Sequence, residues 1–286
     1  MNKEGYVKAV ESLLHSSLSV GEGRVRPNKL TLEKLAKSFG ITDRNLVKEL
    51  TELAIVQQAR KLAHEPGKTI AEKFASIVEL YKGQVNLSHR TSQSVLLQQY
   101  STPAPIGYLM GIFCGVDKPG KYLEPSAGNG LLTIAANPED FYVNEIDPVR
   151  RENLSVQGFA KVTAKDATRA VYSDESFAAV ITNPPFGRLS DPEEIDGYGI
   201  RDLDHVMAIR ALDCMANDGS AAIIIGGHTT WDEQGRVTAG KNRIFFNYLH
   251  KHYNVVDTIL IDGHAPGKST SLSTIMFSLP SLPKSV

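Results

Sequence analysis

The stretch Tyr122-Leu123-Glu124-Pro125-Ser126-Ala127-Gly128-Asn129-Gly130 decides the fold class of the chain. Its apolar start predicts a strand, its two glycines predict a turn, and the apolar residues that follow predict a helix over 130–136. In open α/β sheets such a strand, turn and helix bind nucleotide-like ligands, because glycine lets the backbone approach the ligand closely. The turn lacks the lysine of a phosphate-binding loop and begins with a carboxylate, Glu124, which favours a cationic ligand over a pyrophosphate.

Short apolar runs alternate with helical patterns through the rest of the chain. Strands are predicted at 122–123, 141–143, 177–182, 221–225, 255–261 and 272–279. Helices are predicted at about 130–136, 148–157, 203–216 and 242–252. This alternation favours the α/β class, with a Rossmann-like, mostly parallel sheet and helices on both faces. The last two strands are joined by a loop and not by a helix, so we expect them to form an antiparallel hairpin at one edge.

The first 94 residues differ in character, since apolar residues recur there at helical spacing. We therefore expect an all-helical N-terminal domain over 1–94 and a second domain over 95–286. Residues 32–46 resemble a helix-turn-helix, which would expose Arg44, Asn45 and Lys48 on its second helix and allow contacts with DNA or a partner. A helical hairpin without a role in DNA binding is the alternative.

Composition excludes several classes of protein. The 286 residues carry a net charge of −1, yet residues 1–100 hold 15 basic and 10 acidic side chains against 16 and 22 in the remainder. This asymmetry permits a front part that faces nucleic acid. Two distant cysteines, Cys114 and Cys214, make neither a disulfide framework nor a zinc site, and we expect no metal. Neither a membrane span nor a signal peptide is predicted, so a cytoplasmic protein is expected.

Two further acidic segments follow the predicted turn. Glu145 lies in Val143-Asn144-Glu145-Ile146-Asp147, where an acidic residue at the end of the second strand can accept hydrogen bonds from ribose hydroxyls. Asp147 is better suited to cap the helix that opens at Pro148. A third carboxylate, in Lys165-Asp166-Ala167, could accept from the exocyclic amine of an adenine. Taken alone, an aspartate in such a loop is usually a cap or turn residue.

The segment Asn183-Pro184-Pro185-Phe186 follows the strand predicted at 177–182. Two consecutive prolines cannot continue a central strand, so the chain leaves the sheet in a stiff, extended turn. An amide oxygen and a prolyl carbonyl can together accept both hydrogens of a flat aromatic amine, and the aromatic ring can stack on the base that bears it. A rigid loop with a buried Phe186 is the alternative interpretation.

These motifs, in this order, resemble the S-adenosylmethionine-dependent amino-methyltransferases of DNA, specifically the N6-adenine enzymes with the gamma-class order. Their cofactor signature (Asp/Glu)-Pro-x-x-Gly-x-Gly matches residues 124–130, and their catalytic (Asn/Asp/Ser)-Pro-Pro-(Tyr/Phe) matches 183–186. A preceding motif that often contains Thr-Pro matches 99–103, and the resemblance extends over about 95–280. It implies a class I methyltransferase fold, S-adenosylmethionine as the cofactor, DNA as the partner, and a bacterial or phage origin.

The resemblance also implies roles for individual residues. The cofactor-binding residues would be Tyr100, Thr102, Pro103, Glu124, Ser126, Gly128, Gly130, Glu145, Ile146, Asp166, Ala167 and Asn183. Among them, Glu145 would hold the ribose, Ile146 would pack on the adenine ring of the cofactor, and Asp166 would accept from its amine. Those at 102–130 would line its methionine part.

The implied catalytic residues are Asn183, Pro184, Pro185 and Phe186. The target adenine would be flipped out of the duplex, because its N6 cannot be reached while the base is stacked and paired. Asn183 Oδ1 and the Pro184 carbonyl would accept the two N6 hydrogens, and Phe186 would stack on the ring. Alignment and local electrostatics would then supply most of the catalysis.

Two loops are candidates for contact with DNA. Residues 187–201 hold four carboxylates, which favours a mobile lid over a phosphate-binding loop. Residues 226–243 contain an aromatic side chain and several cations, which suits strand separation or backbone contact. The predicted DNA-binding residues there are Trp231, Arg236, Lys241 and Arg243. Local packing of Trp231 in a surface loop is the alternative.

The sequence departs from the gamma class in one respect, since no large target-recognition domain follows the catalytic motifs. Sequence readout would then come from the N-terminal helices, the two loops, or a partner chain or second protomer. Two alternatives for the function remain open at this point. Protein glutamine N5-methyltransferases that act on release factors share the Asn-Pro-Pro turn, and a non-catalytic, cofactor-binding DNA regulator would also fit the cofactor motif.

Overall fold

A computed structural model describes residues 1–18, 27–85, 101–169, 172, 176–226, 229–234, 237–240, 242–261 and 273–279 of the chain. Its helices are α1 (Lys3–Leu18), α2 (Lys29–Ser38), α3 (Arg44–Ala63), α4 (Ile70–Gly83), α5 (Ala104–Phe113), α6 (Pro148–Ser155), α7 (Leu203–Leu212) and α8 (Arg243–His252). Its strands are β1 (Tyr122–Glu124), β2 (Phe141–Asn144), β3 (Lys161–Thr163), β4 (Phe177–Thr182), β5 (Arg188–Ile195), β6 (Tyr198–Asp202), β7 (Met215–Gly226), β8 (Thr229–Trp231), β9 (Val237–Gly240), β10 (Asn254–Ile261) and β11 (Ser273–Leu279).

The central sheet has the strand order β10-β11-β7-β4-β1-β2-β3. Neighbouring strands from β3 to β7 are parallel, whereas β11 is antiparallel to both β7 and β10. The α/β class, the mostly parallel sheet and the antiparallel hairpin at its edge are therefore confirmed.

The strand order reverses between β1 and β4. The chain passes from β1 outward through β2 and β3, and β4 then pairs with the opposite side of β1. In doubly wound sheets ligands bind in the crevice beyond the carboxyl ends of the strands at such a switch point. Glu124 ends β1 and Thr182 ends β4, so the two sequence motifs that follow them enter the same crevice.

Alternate residues of the sheet enter two cores, one on each face, as the pleat of a strand requires. Ala222 and Ile224 of β7 belong to a core that also contains Leu50 of α3 and residues of α1, α4 and α5. Ile223 and Ile225 belong to the other core, with residues of α7 and α8. The N-terminal helices thus share a core with one face of the sheet. The predicted domain boundary at 94 and 95 falls outside the described residues and stays a prediction.

Polar side chains cap the starts of two N-terminal helices, α3 and α4. Asp43 caps α3 by accepting hydrogen bonds from the backbone N–H groups of Asn45 and Leu46. After the break at Pro66-Gly67, Thr69 and Glu72 form a reciprocal capping box at the start of α4.

The prediction that Arg44, Asn45 and Lys48 are all exposed is wrong. Arg44 is exposed, but the side chain of Lys48 is only 13% exposed and lies 3.2 Å from the carboxylate of Glu49. The reason is that α3 is a central helix with residues buried along its whole length. The second helix of a helix-turn-helix, by contrast, must present one face to DNA.

Two predicted helices differ in the structure. Only Leu131–Thr133, a single 3-10 turn, forms within the helix predicted over 130–136. Helix α5 lies against this segment so closely that a Cβ on Gly107 would sit 2.4 Å from the carbonyl oxygen of Leu131. The helix predicted over 203–216 ends at Leu212, because β7 begins three residues later.

Both segments predicted as loops form two-stranded ribbons. In the first, β5 and β6 pair across Asp196-Gly197, whose φ angles of 49° and 82° are those of a two-residue hairpin turn. In the second, β8 pairs with β9, so that Trp231 lies opposite Val237. Among the described residues, no helix is long and apolar enough to cross a membrane.

Candidate active site

A cavity of about 520 Å³ lies at the switch point between β1 and β4, and it is called the switch-point cavity below. Its size falls within the usual range for pockets that bind cofactors and small molecules. Twelve of the site residues that the sequence predicts line this cavity, namely Thr102, Glu124, Ser126, Gly128, Glu145, Ile146, Asp166, Ala167, Asn183, Pro184, Pro185 and Phe186. The fold thus brings together residues that span more than eighty positions of sequence.

Two of the predicted cofactor residues that the structure describes are not in the lining. Pro103 is the N-cap of α5, and Gly130, with a φ of 95°, precedes the 3-10 turn. A Cβ at Gly130 would meet Leu154, Gln157 and Phe159, so the residue faces α6 and the segment after it. Tyr100 lies outside the described residues.

Glu124 is a fully buried carboxylate on the cavity wall, and its Oε2 atom has no hydrogen-bond partner. Burial, together with the nearby charge of Glu145, raises the pKa of Glu124 well above its ordinary value. An unpartnered buried acceptor carries a free-energy cost in the free protein, which a donor group on a ligand would remove.

Glu145 is held in place by the backbone on both sides. Its Oε2 accepts a hydrogen bond from Gly128 N at 2.8 Å, and its Oε1 accepts one from Asp147 N at 2.8 Å. Burial raises the pKa of Glu145, although both of these bonds and the charge of Arg150 act in the opposite direction. Each oxygen keeps a lone pair for a further donor, such as a hydroxyl.

The wall of the switch-point cavity also contains an aliphatic residue, Ile146, and a third carboxylate, Asp166. Ile146 is 60% exposed although it is a large aliphatic residue, and it lines the cavity. Asp166 accepts hydrogen bonds through Oδ1 from the N–H and the hydroxyl of Thr168, which lowers its pKa. An exposed aliphatic side chain beside a fixed carboxylate suits a flat heterocycle with an amino group.

Asn144, which the sequence interpretation did not assign, joins the three loops that form this wall. Its Nδ2 donates to the carbonyls of Pro125 and Lys165, and its Oδ1 accepts from Lys165 N and Thr163 Oγ1. All four hydrogen-bonding capacities of the amide are therefore used. Asn144 fixes the loops after β1 and β3 relative to β2.

Asn183 stands at the start of the proline turn, opposite the glycine turn. Its Nδ2 donates a hydrogen bond of 2.9 Å to Thr102 Oγ1, whereas its buried Oδ1 has no partner. A hydrogen bond joins the end of β4 to the glycine turn, because the hydroxyls of Ser126 and Thr182 lie 3.0 Å apart. The structure therefore offers a fixed amide oxygen that can only accept a hydrogen bond.

The rest of the proline turn is rigid and partly exposed to the cavity. Pro184 is buried, Pro185 is half-buried, and the ring of Phe186 packs against the core while also lining the cavity. Two prolines with fixed φ angles leave this turn little freedom. An aromatic ring and an amide acceptor thus line the same cavity.

Helix α3 reaches the same site from the N-terminal region. Glu49 accepts hydrogen bonds from Asn129 of the glycine turn at 2.7 Å and from Arg150 Nε at 2.9 Å. Asn153 donates to the backbone carbonyl of Glu49 and to Asn129 Oδ1. Glu52, one turn further along α3, lines the cavity and accepts from the hydroxyl of Ser101 at 2.7 Å.

The two buried carboxylates of α3, Glu49 and Glu52, differ in how far nearby cations offset their burial. Burial raises the pKa of Glu49, but the charges of Arg150 and Lys48 and its hydrogen bonds outweigh burial and bring the pKa below its ordinary value. Burial and the charge of Glu49 raise the pKa of Glu52. No periodic signal in the sequence marks either residue, because α3 is buried on every side from Glu49 to Val56.

The predicted DNA-binding residues are placed only in part. Arg236 and Lys241 lie outside the described residues, and of Trp231 only the backbone, in β8, is described. Arg243 is exposed and begins α8. The part of the chain that the structure describes contains no cluster of ligands that could hold a metal ion.

Comparison with solved structures identifies the fold. A protein of Listeria monocytogenes assigned to the class I S-adenosylmethionine-dependent methyltransferases is 15% identical, with a TM-score of 0.53 over 99% of this chain and 91% of that one. A protein of Vibrio vulnificus assigned as the modification subunit of a type I restriction enzyme is 13% identical, with a TM-score of 0.49 over 94% of this chain and 60% of that one.

A protein of Pyrococcus horikoshii assigned as an RNA methyltransferase is 18% identical, with a TM-score of 0.45 over 68% of this chain and 92% of that one. No family model matches the sequence, and no curated protein matches it either. The chain thus has the fold of the class I S-adenosylmethionine-dependent methyltransferases.

Proposed function

We propose that this chain binds S-adenosylmethionine and transfers its methyl group to N6 of adenine in DNA. The single observation that carries the proposal is the geometry of Asn183. Its Nδ2 is held by Thr102, and its buried Oδ1 is left as an unpartnered acceptor in the cavity wall. This is the group needed to hold an exocyclic amine that is about to be methylated.

The residues of the cavity fit the proposed cofactor. Its amino and ribose hydroxyl groups are donors, and Glu124 and Glu145 offer buried acceptors, one of which is unpartnered. Ile146 and Asp166 suit the adenine ring and its amine, respectively. When bound, the cofactor supplies a methyl group that is already activated on a sulfonium.

Asn183 would act on the target adenine through its fixed oxygen. An N6 hydrogen bonded to Oδ1 keeps electron density on the nitrogen while the nitrogen attacks the methyl group, the sulfur–methyl bond breaks to leave a neutral thioether, and the methylated nitrogen then loses one proton to water. No rearrangement of Asn183 is needed, because Thr102 already holds the amide in place. Preorganised dipoles of this kind are often the largest contribution to catalysis.

Phe186 and the prolines would fix the base. Aromatic rings stack favourably on flat bases, and Phe186 lies in the lining next to the Asn183 amide. Holding the amine at a fixed position relative to the methyl donor supplies the alignment term of catalysis. Readout of a DNA sequence by a partner chain or a second protomer stays a prediction.

A transfer assay with methyl-labelled S-adenosylmethionine tests the proposal. The purified chain is incubated with unmethylated duplex DNA of mixed sequence, with RNA of matching sequence, and with a translation release factor. We expect label in DNA, released as N6-methyladenosine after digestion to nucleosides. Asn183→Ala is expected to reduce transfer by about 100-fold or more, as for loss of one catalytic dipole, and to weaken cofactor binding in calorimetry far less.

Each other outcome is decisive. Label in the release factor and none in DNA would establish a glutamine methyltransferase, and label in RNA alone would also overturn the proposal. Cofactor binding with no transfer to any substrate would indicate a DNA-binding regulator that lacks catalysis.

A further inference from the structure

A second cavity, of about 580 Å³, opens beside the switch-point cavity and is called the arginine cavity below. It lies between the β5–β6 hairpin, the end of β9 and the start of α8. Its lining contains Arg188, Arg201 and Arg243. Arg188 lines both cavities, so the two are contiguous at the residue that follows the proline turn by two positions.

The charge of the arginine cavity is positive. Among the described residues that line it, Asp202 is the only carboxylate, and it lies 3.7 Å from the ring of His205. Burial lowers the pKa of His205, so this histidine adds no positive charge at neutral pH. Within the described residues, Arg188, Arg201 and Arg243 are all exposed and have no carboxylate at ion-pair distance.

Two carboxylates of the hairpin lie away from these arginines. Glu193 forms an ion pair with Arg210 of α7, and Arg210 also contacts Asp213. Asp196 is in the turn at the far end of the hairpin from Arg188 and Arg201. Although residues 187–201 looked too acidic for phosphate binding, Arg188 and Arg201 lie at the base of the hairpin, where Asp202 is the one acidic residue, and the four carboxylates of that segment lie nearer the tip.

The frame around the three arginines is rigid. Arg188 of β5 is in register with Asp202 of β6, next to Arg201. The start of α8, at Arg243, is tied to β7 because Asn242 Nδ2 donates to the carbonyl of Gly226 at 2.6 Å. Asn242 Oδ1 also lies 3.1 Å from His205 Nε2. Phe245 stacks on His205 with ring centroids 4.3 Å apart and an interplanar angle of 4°.

The start of α8 adds a further donor site. Arg243 and the two residues after it line the cavity, and the helix has no side-chain cap at its N-terminus. Free N–H groups at a helix start favour anions, and guanidinium groups bind phosphate oxygens through paired hydrogen bonds. Three guanidiniums that form no ion pair with the described residues, together with a helix start that Asn242 does not cap, favour a ligand with several phosphates.

We infer that Arg188, Arg201 and Arg243 bind successive phosphodiesters of a nucleic-acid strand and so place the target nucleotide against the Asn183 turn. The inference rests on the proposed function in that the strand is the one that carries the target base. Phosphodiesters occur in both DNA and RNA, and phosphate contacts position a strand without reading its sequence. The arms of the experiment separate the two nucleic acids.

Fluorescence anisotropy tests this inference without catalysis. Fluorescent duplex DNA, single-stranded DNA and RNA are titrated with the parent chain, with the triple variant Arg188→Ala/Arg201→Ala/Arg243→Ala, and with a control variant. The control is Lys8→Ala/Lys61→Ala/Lys82→Ala, which removes the same charge from exposed lysines elsewhere. All three arginines are exposed, so melting temperatures should stay unchanged.

For the arginine variant we expect about tenfold or greater loss of DNA affinity at about 150 mM salt, and a salt slope smaller by about 2 to 3. The control should lose much less. Replacement of the three arginines by lysine should recover part of the affinity, because the charges return without the paired hydrogen bonds. Equal losses of DNA affinity in the triple arginine-to-alanine variant and in the lysine-to-alanine control would overturn the inference. So would the absence of a loss in both.

The same titrations keep the inference distinct from the proposed function. If the parent chain methylates DNA and the arginine variant binds DNA as tightly as the parent does, the proposed function stands and the role of the arginine cavity is refuted. If the parent chain binds DNA or RNA through the arginines but transfers no methyl group to DNA, the proposed function is refuted and the role of the arginine cavity in binding a strand stands. Arginine-dependent binding of RNA with none of DNA would assign the cavity to RNA.

Discussion

Glu49 on α3 and Arg150 on α6 form a buried ion pair, with Glu49 Oε2 2.9 Å from Arg150 Nε. The pair connects the N-terminal helices to the sheet, and the same carboxylate holds Asn129 of the glycine turn. The wall of the switch-point cavity therefore depends on a helix residue that lies 80 positions before Asn129 in sequence.

Removal of one partner of this pair should be strongly destabilising. We expect Glu49→Ala to lower the free energy of unfolding by about 2–3 kcal/mol, because the buried guanidinium of Arg150 would lose its hydrogen-bonded carboxylate, although Glu52 and Glu145 still place negative charge near it. The double variant Glu49→Leu/Arg150→Met should lose more, because Glu52 and Glu145 would then also lose the cation that they share. Urea unfolding monitored by circular dichroism measures both. Equal losses in the single and double variants would contradict this shared role of Arg150.

Glu124 should destabilise the free protein at neutral pH. Its pKa in the folded state lies above the unfolded value of 4.5, because the site is buried and Glu145 is near. The stability that goes with its protonated form is thus fully present below pH 4.5 and is lost as the pH rises through the folded pKa. Glu124→Gln stays neutral and should avoid this loss.

Melting temperatures without cofactor at pH 5 and pH 8 check this prediction. The advantage of Glu124→Gln over the parent should grow with pH, by about 2–4 °C for each kcal/mol. The same variant should bind S-adenosylmethionine about tenfold more weakly, which corresponds to about 1.4 kcal/mol. Glu139→Gln, at an exposed position, is the matched control. A smaller advantage at pH 8 than at pH 5 would refute the raised pKa of Glu124.

The sheet and the main wall of the cavity could be predicted because their signals are local. Strand, turn and strand-end motifs are each contiguous in sequence, and parallel pairing brings the carboxyl ends of β1 and β4 to one edge. Glu124, Glu145 and Asn183 needed only this topology to meet. Their hydrogen-bond partners, such as Thr102 for Asn183, depend on side-chain directions that no periodicity encodes.

The parts that could not be predicted depend on contacts between distant elements. Glu49 and Glu52 look like surface residues of a helix until α3 is placed in the core. The 3-10 turn at Leu131–Thr133 exists because α5 lies against it. The β5–β6 hairpin is different, since Asp196-Gly197 is a local turn signal between strand-forming residues that sequence interpretation could have used.

Gly107 should be intolerant of a side chain. A Cβ there would lie 2.4 Å from the carbonyl oxygen of Leu131 and 3.3 Å from Leu132 Cα. Backbone cannot move as easily as a flexible side chain, so Gly107→Ala should cost about 1–3 kcal/mol, as overpacking does. It should also weaken cofactor binding, because Leu131 and Leu132 line the switch-point cavity. Thermal melts and calorimetry measure the two effects.

The control for Gly107 is Ser12→Ala on α1, an exposed helical position where alanine should change the melting temperature little. Alanine is ordinarily the better helix former, so propensity alone predicts that Gly107→Ala would stabilise α5. An increase in melting temperature for Gly107→Ala would therefore show that α5 does not lie against Leu131 as described.

Thr102 should act as a positioning residue for Asn183. Its Oγ1 accepts the hydrogen bond from Asn183 Nδ2, and Thr102→Val removes this acceptor while keeping the shape of the side chain. An amide without this anchor can turn, so Oδ1 would no longer face the amine in every complex. Single-turnover methyl transfer should slow by about tenfold, which corresponds to one hydrogen bond of about 1.4 kcal/mol. DNA affinity should stay unchanged, and Thr102→Ser, which keeps the hydroxyl, should recover most of the rate. A rate for Thr102→Val equal to that of the parent would mean that Asn183 is held by the proline turn alone.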